Sequence, residues 1–152
     1  MFEKKVRNRP KNPVWQFSIF TENRVGRLLE LFKMFKDKRV TIVAITVLDT
    51  TDSSIIRLIL DDPDLARALF EEHMIAYSAT TVTAVEIKAM TEVPNVLAAL
   101  LEAEINIHYM YSFISRPHDY SALAISLEDE EVAQQAICRA GFRVMTQDDI
   151  SR

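Results

Sequence analysis

The stretch LLELFKMFKDKRVTI (residues 28–42) and the stretch VPNVLAALLEAEINI (residues 93–107) share one pattern of apolar residues at an offset of 65. Each begins with apolar side chains at helical spacing and ends in β-branched residues. The apolar residues that align are Leu31 with Val96, Phe32 with Leu97, Phe35 with Leu100, Val40 with Ile105, and Ile42 with Ile107. Two later stretches, residues 55–70 and 122–137, align in the same way. The chain therefore contains an internal duplication, and this duplication decides the fold prediction.

The first half predicts the order strand, helix, strand, strand, helix, strand. WQFSIF (residues 15–20), TIVAITVLD (41–49) and IIRLIL (55–60) predict three strands because they are rich in apolar and β-branched residues. Asp62 and Pro63 predict the start of the second helix, since proline is tolerated in a first turn. The residues expected to face inward are Leu28, Leu31, Phe32 and Phe35 in the first helix, and Leu65, Ala66, Leu69 and Phe70 in the second.

The second half repeats this order. YSATTVTAVEI (residues 77–87) predicts the last strand of the first half and, after a crossing near Thr81, the first strand of the second half. The elements predicted after it are a VLAALLEAE helix, an INIHYMYSFIS strand, a YSALAISL strand, a DEEVAQQAICRA helix and an FRVMT strand. Gly141 follows the last helical pattern, where a C-terminal helix cap is expected.

A βαββαβ unit folds as a four-stranded antiparallel sheet with two helices on one face, which is the ferredoxin-like arrangement. The sequence thus predicts an α+β protein with two such units in tandem. We expect a tail at residues 1–13, a first domain at residues 14–81 and a second domain at residues 82–152. A chain of 152 residues is long enough for two small domains.

The second strand of the first half is apolar on both of its faces. Its two alternating sets are Ile42, Ala44 and Leu48, and Val43, Ile45 and Val47. A sheet with one face in water should instead alternate apolar and polar residues. We therefore expect the face opposite the helices to be covered by the other half, by a second copy of the chain, or by both. The halves are predicted to form a pseudo-dimer and the chain a homodimer, and aspartate at Val43 or Ile45 is expected to disrupt this packing.

The composition excludes several classes of protein. A formal net charge of -4 gives no basic field for nucleic acid and no polybasic patch for a membrane. The apolar runs are too short to span a bilayer, and the basic, proline-containing start MFEKKVRNRPKNP does not have the pattern of a signal peptide. The single cysteine, Cys138, excludes an internal disulfide framework. We therefore expect a cytoplasmic protein.

The stretch TENRVGRLLELF (residues 21–32) joins the first strand to the first helix and contains Gly26, one of two glycines in the chain. A helix N-terminus presents N–H groups without intrahelical partners and a positive dipole end, and both attract a carboxylate. Gly26 has no Cβ to obstruct a ligand, and the Asn23 amide can both donate and accept. Alternatively, Asn23 only caps its own helix and Gly26 only allows tight packing. Arg24 and Arg27 are interpreted as solvated side chains.

The stretches ENRVGRL and VTIVAITVLDTTDSSIIRLIL, in this duplicated order, resemble the ACT domain, a small regulatory module that binds amino acids. The second half, which ends in RAGFRVMTQDD, is similar to the second unit of a tandem ACT-domain protein. The resemblance extends from about Val14 to Asp149. The family loop N-x-P-G-x-L is present here from Asn23 to Leu28, although its proline is replaced by Val25.

The resemblance implies an effector site where the loop after the first strand of one unit meets the start of the second strand of its neighbour. The first half has Asn23 and Gly26 in this loop, and the second half has Asn106 at the strand position. The reverse combination joins the loop AMTEVPN (residues 89–95), which has no glycine, with Thr41. We therefore predict one composite site per chain rather than two.

At this site the ligand carboxylate is expected on the N–H groups around residues 25–27. The ligand ammonium is expected to bind the side chains of Asn23 and Asn106 together with backbone carbonyls. The predicted ligand-binding residues are Asn23, Arg24, Val25, Gly26, Arg27 and Asn106. An amino acid is the expected effector, and no other cofactor is expected.

Other residue types give weaker indications of a site. His73, His108 and His118 do not show metal-ligand spacing, so no metal is expected. Cys138 follows Ile137 on the apolar side of a helical pattern and is interpreted as a small core residue. The alternating aromatic residues Tyr109, Tyr111 and Phe113 are interpreted as core or interface, although a tyrosine hydroxyl could reach a ligand.

Two functions remain open at this stage. The sequence shows no glycine-rich phosphate loop and no Ser/His/Asp order, so an enzyme is not expected. The first function is a small-molecule sensor that binds an amino acid and passes the signal to a partner. The second is a ligand-free regulatory or interaction subunit that assembles with an amino-acid biosynthetic enzyme.

Overall fold

The structure is a computed structural model, and it describes residues 12–22, 24–116 and 119–151. The strands are β1 (Val14–Thr21), β2 (Ile42–Asp49), β3 (Ser54–Leu60), β4 (Ser78–Ile87), β5 (Ile107–Ser112), β6 (Ser121–Leu127) and β7 (Arg143–Met145). The helices are α1 (Arg24–Asp37), α2 (Pro63–Glu72), α3 (Val93–Glu102), α4 (Glu130–Arg139) and α5 (Gln147–Ile150). A short 3-10 helix, Met90–Glu92, precedes α3. The predicted α+β class with a repeated ferredoxin-like order is confirmed.

One long strand, β4, takes part in both halves. Its residues 78–82 pair antiparallel with β1, and its residues 83–87 pair antiparallel with β6. β7 pairs with the second part of β4 as well. The strand order is β2-β3-β1-β4-β6-β5, with every neighbouring pair antiparallel. The two halves therefore share one continuous sheet.

The two outer strands of this sheet meet each other. Ala44 of β2 forms an antiparallel bridge with Phe113, which lies directly after β5. The carbonyl oxygen of Val43 accepts hydrogen bonds from the backbone N–H of Ile114 at 2.8 Å and of Ser115 at 3.2 Å. The sheet thus curls until its edges touch, and its concave face encloses an interior.

Two groups of buried side chains lie between the helices and the convex face of the sheet. In the first half, Phe70 of α2 packs edge to face against Phe17 of β1 and Phe35 of α1, with ring centroids 5.4 and 5.6 Å apart. In the second half, α3 and α4 contribute Val96 and Ile137 to a separate buried group. Each half therefore has its own helix-covered core.

A third group, which we call the inner core, lies inside the curl and contains residues from both halves. Its members are Val14, Val43, Ala44, Ile59, Val82, Ala84, Phe113, Ala122, Ala124, Met145 and Ile150. Four of these residues are alanines, whose small side chains allow the facing strands to approach closely. The prediction that the face opposite the helices is covered is confirmed, and the cover includes the other half.

A β-bulge in β2 corrects the predicted orientation of this strand. Its register with β3 shifts between Ile42 and Ala44, so Val43 is an extra residue. Val43 and Ala44 consequently both belong to the inner core, whereas Ile42 and Ile45 both pack toward the helices. The prediction that Ile45 shares the face of Val43 is wrong because the bulge reverses the alternation.

The buried face of α1 also differs in part from its prediction. Leu31, Met34 and Phe35 are buried, whereas Phe32 is 47% exposed. Successive residues of a helix are rotated by about 100°, so Phe32 lies well away from the face centred on Leu31 and Phe35. In α2 the predicted inward residues Leu65, Ala66, Leu69 and Phe70 all pack in the helix-covered core.

The duplication extends to the start of the second helix in each half. The Asp62 carboxylate accepts the N–H of Leu65 at 3.1 Å, and the Asp129 carboxylate accepts the N–H of Val132 at 3.2 Å. These two aspartates cap α2 and α4 in the same way. None of the helices in the described ranges is long and apolar enough to cross a membrane.

Candidate ligand-binding site at one end of the sheet

Chain segments from both halves lie toward one end of the curled sheet. Ser54, the first residue of β3, pairs with the last residues of β1 and β2, Thr21 and Asp49. In the second half, β5 starts where β6 ends, so Asn106 lies beside Glu128. Antiparallel pairing through β4 makes β1 and β6 run in the same direction, so both groups lie toward the same end of the sheet, with the second-half group set back along the strands to about the level of Trp15. We call this end of the sheet the upper end, and the opposite end the lower end.

Helix α1 starts at the upper end. Its first residue is Arg24, so the backbone N–H groups of residues 24–27 lie in its first turn, at the positive end of the helix dipole. Gly26 is the third residue of the helix and already takes part in an interaction within the chain. Val25 is exposed, and Asn23 lies outside the described residues. The predicted carboxylate-binding stretch is therefore the first helical turn itself.

The side chains of Arg24 and Arg27 form ion pairs at the protein surface. Arg24 Nη1 lies 3.0 Å from Asp49 Oδ2, and Arg27 Nη1 lies 2.9 Å from Glu30 Oε2. Exposed pairs of this kind contribute little to stability because water screens them. The Arg24 pair does, however, hold the start of α1 against the end of β2.

Asn106 is exposed at the upper end. Its side-chain Nδ2 donates to Glu128 Oε2 at 3.2 Å, and its carbonyl oxygen accepts the backbone N–H of Glu128 at 3.1 Å. Asn106 and the start of α1 thus both lie at strand ends that point toward the upper end. The polar contacts described for Asn106 keep its side chain within the second half.

The reverse combination of loop and strand lies at the lower end. The backbone N–H of Thr41 donates to Asp61 Oδ1 at 2.8 Å, and the N–H of Lys88 donates to Glu92 Oε2 at 3.2 Å. Carboxylates of the chain itself therefore occupy donors in both segments. A cavity of about 480 Å³ lies beside this second loop, and the residues around it include Glu86, Lys88, Glu92, Asn95, Tyr120 and Arg143.

A buried polar cluster between the halves was not predicted. The Gln16 side chain, buried in β1, donates from Nε2 to Tyr109 Oη at 2.6 Å and accepts at Oε1 from Tyr111 Oη at 2.6 Å. The Arg57 guanidinium lies over the Tyr109 ring, 3.8 Å from its centroid. The sequence signal for this cluster is a large polar side chain inside each of two mainly apolar strands, Gln16 in VWQFSIF and Arg57 in IIRLIL.

The tyrosines of this cluster lie on the concave face, as the interpretation of Tyr109, Tyr111 and Phe113 as core or interface predicts. Burial, and then the neighbouring Tyr109, raise the pKa of Tyr111 well above its ordinary value, whereas Arg57 acts in the opposite direction. Tyr111 is therefore a neutral hydrogen-bond donor at physiological pH.

The remaining candidate side chains lie apart from this cluster. Cys138 is exposed, so the prediction that it is a core residue is wrong, and the neighbouring Ile137 is buried instead. Within residues 12–22, 24–116 and 119–151, no group of three potential metal ligands occurs, and His73 and His108 are both exposed. His118 lies outside the described residues.

Comparison with known proteins gives one family and several solved structures. A family model described as "ACT domain pair" matches residues 12–152. Protein BT0572 from Bacteroides thetaiotaomicron has a TM-score of 0.81 at 23% identity, over 92% of this chain and 96% of that chain. The ligand-free regulatory subunit of aspartate kinase from Thermus thermophilus has a TM-score of 0.58 at 17% identity, over 86% of this chain and 94% of that chain. The corresponding subunit from Thermus flavus has a TM-score of 0.55 at 17% identity, with the same coverage of 86% and 94%. No curated protein matches the chain.

Proposed function

Because the chain belongs to the family of ACT domain pairs, we propose that it is a regulatory protein that binds an amino acid at one composite site per chain. The ligand carboxylate binds the first-turn N–H groups of residues 25–27. The side chains of Asn23 and Asn106 bind its ammonium group together with backbone carbonyls. The site therefore takes one part from each half.

The observation that supports this proposal is one of orientation: the first turn of α1 and Asn106 both lie at strand ends that point toward the upper end of the sheet. The first turn supplies backbone donors and a positive dipole end, which suit a carboxylate. The exposed Asn106 side chain can turn from Glu128 to an ammonium group, because its amide oxygen is an acceptor.

The contacts at the lower end support one site rather than two. There the backbone N–H of Thr41 is bound by Asp61, and Glu92 supplies a carboxylate next to the start of α3. A second carboxylate from a ligand would be repelled by Glu92. If titration shows a second binding site, the cavity beside this loop is its candidate location.

We propose further that the protein acts in the cytoplasm and as a homodimer, which light scattering at micromolar concentration tests by the mass in solution. A metabolic enzyme is the proposed partner. Two structural neighbours are named as regulatory subunits of aspartate kinase, which makes assembly with an enzyme a reasonable model for this chain.

A ligand-free interaction subunit is the second candidate, and the outer surfaces of two equivalent helices favour it. Phe32 of α1 and its aligned residue Leu97 of α3 are both exposed, as are Leu29 and Leu101 beside them. Exposed large apolar side chains on a helix can contact a partner protein. This candidate needs no small molecule.

A panel of the twenty amino acids in a thermal-shift assay separates the two candidates. An amino acid present at 100 times its dissociation constant adds about 2.7 kcal/mol to the free energy of unfolding. For a chain of this size this raises Tm by roughly 5–10 °C. A shift with one or a few related amino acids supports the sensor, whereas no shift with any of them supports the ligand-free subunit.

A further inference from the structure

The concave faces of β1, β2 and β3 carry side chains in successive rows across the three strands. Ile59 belongs to the inner core, and alternation along β3 puts Arg57 and then Ile55 on the same face, progressively nearer the upper end. Their directly paired neighbours share that face. The resulting rows are Ser18, Arg57 and Thr46, and above them Phe20, Ile55 and Leu48.

Among the residues that the structure describes, none supplies an anion to the positive charge of Arg57. Its guanidinium stacks on the Tyr109 ring at 3.8 Å. It makes no hydrogen bond or ion pair with any residue of the ranges 12–22, 24–116 and 119–151. The side chain is half-buried between the two halves, where a cation is less well hydrated than at the surface. A guanidinium has five N–H donors in a planar fork that matches a carboxylate.

The surroundings of Arg57 combine hydroxyl groups with an exposed apolar rim. Ser18 and Thr46 flank it on the neighbouring strands, and Ser126 pairs with Tyr109 on β6. Above it, Phe20 is 61% exposed and Leu48 is 43% exposed. A ligand that enters from the upper end would meet this apolar rim first and the guanidinium behind it.

We propose that these two rows bind a small molecule with one carboxylate and one branched apolar group. The carboxylate pairs with Arg57 and the hydroxyls beside it, and the apolar group contacts Phe20, Ile55 and Leu48. This inference goes beyond the proposed function, because it uses none of Asn23, Gly26 and Asn106 and requires no ammonium group on the ligand.

The test titrates 4-methylpentanoate into the protein and follows binding by calorimetry and by amide chemical shifts. The expected result is saturable binding, with affinity at least tenfold weaker for Arg57→Gln and for the neutral probe 4-methylpentanamide. Arg67→Gln is the matched control, because Arg67 also stacks on an aromatic ring, that of Trp15 at 4.8 Å, but on the helix-covered side. This variant should bind the probe as the native protein does.

A second variant keeps the test valid if Arg57→Gln does not fold. Phe20→Ser changes an exposed side chain, so the fold should be retained while the affinity for 4-methylpentanoate falls. No binding of the probe up to about 10 mM, or equal affinity in the native protein and Arg57→Gln, would overturn the inference. Loss of binding in Asn106→Ala but not in Arg57→Gln would also overturn it, while supporting the composite amino-acid site.

Discussion

At the scale of single residues, Gln16 adds a hydrogen-bonded contact between the halves. One side-chain amide satisfies two tyrosine hydroxyls, at 2.6 Å each, from the opposite side of the curl. Tyr111 donates to this amide, so the bond requires the neutral phenol. Protonation of Tyr111 and the joining of the two halves are therefore linked.

The linkage predicts a loss of stability at alkaline pH. The pKa of Tyr111 is raised in the folded state, so above about pH 10, the ordinary pKa of tyrosine, the unfolded chain loses its proton first. The free energy of unfolding should then fall by up to about 1.4 kcal/mol per pH unit from this residue. Urea denaturation between pH 8 and 11 measures the slope. Tyr111→Phe should be less stable than the native protein at pH 8, but its free energy of unfolding should fall less steeply with pH. An equally steep fall in this variant would contradict the assignment of the alkaline loss to Tyr111.

At the scale of secondary structure, the four long helices end in the same way. The second residue after each C-terminus has a positive φ: Arg39 at 58°, Met74 at 54°, Glu104 at 57° and Gly141 at 93°. Only Gly141 has the residue type that this conformation favours. The glycine cap predicted at the end of α4 is confirmed, and the other three helices reach the same geometry at some cost in backbone strain.

Exchanges at two of these ends should change stability in opposite directions. A Cβ at Gly141 would meet no atom within 4 Å, so Gly141→Ala acts through the backbone alone and should cost about 1 kcal/mol. Met74→Gly relieves the same strain at an exposed residue and should add up to about 1 kcal/mol. Thermal and urea unfolding measure the stability changes of both variants. A stabilising Gly141→Ala would refute the claim that positive φ at this position strains a residue other than glycine.

The element order was accessible from the sequence because helical spacing and β-branched runs are local signals. The bulge at Val43 could not be predicted from the sequence, since one extra residue in a continuous apolar run does not change the apolar pattern. Arg57 was missed for a related reason. A lone arginine in IIRLIL looks like a solvent-facing residue until the curl puts Tyr109 over it.

At the scale of the whole molecule, the inner core makes the two halves one cooperative unit. Ala44 of the first half is bridged to Phe113 of the second, and β4 runs through both. The closure of the sheet could not be predicted, because the contact between β2 and the end of β5 joins residues far apart in sequence. Separation of the halves would expose the inner core to water.

A charge in the inner core should therefore unfold both halves together. Val43→Asp puts a carboxylate at a side chain that is 3% exposed and should cost at least about 3 kcal/mol. Val47→Asp is the matched control on the same strand, because Val47 is 41% exposed, and it should cost less than about 1 kcal/mol. Trp15 fluorescence reports the first half and circular dichroism reports both. Two separate transitions in urea would contradict the shared core.

Calorimetric titration with the amino acid that gives the largest thermal shift tests the central claim most directly. We predict one ligand per chain, and affinity about 5- to 150-fold weaker in Asn106→Ala, the range expected when a hydrogen bond worth about 1–3 kcal/mol to a charged group is lost. Asn95→Ala, in the first turn of α3 at the lower end, is the matched control and should bind like the native protein. Two equivalent sites per chain, or full affinity in both Asn106→Ala and Asn23→Ala, would contradict the account.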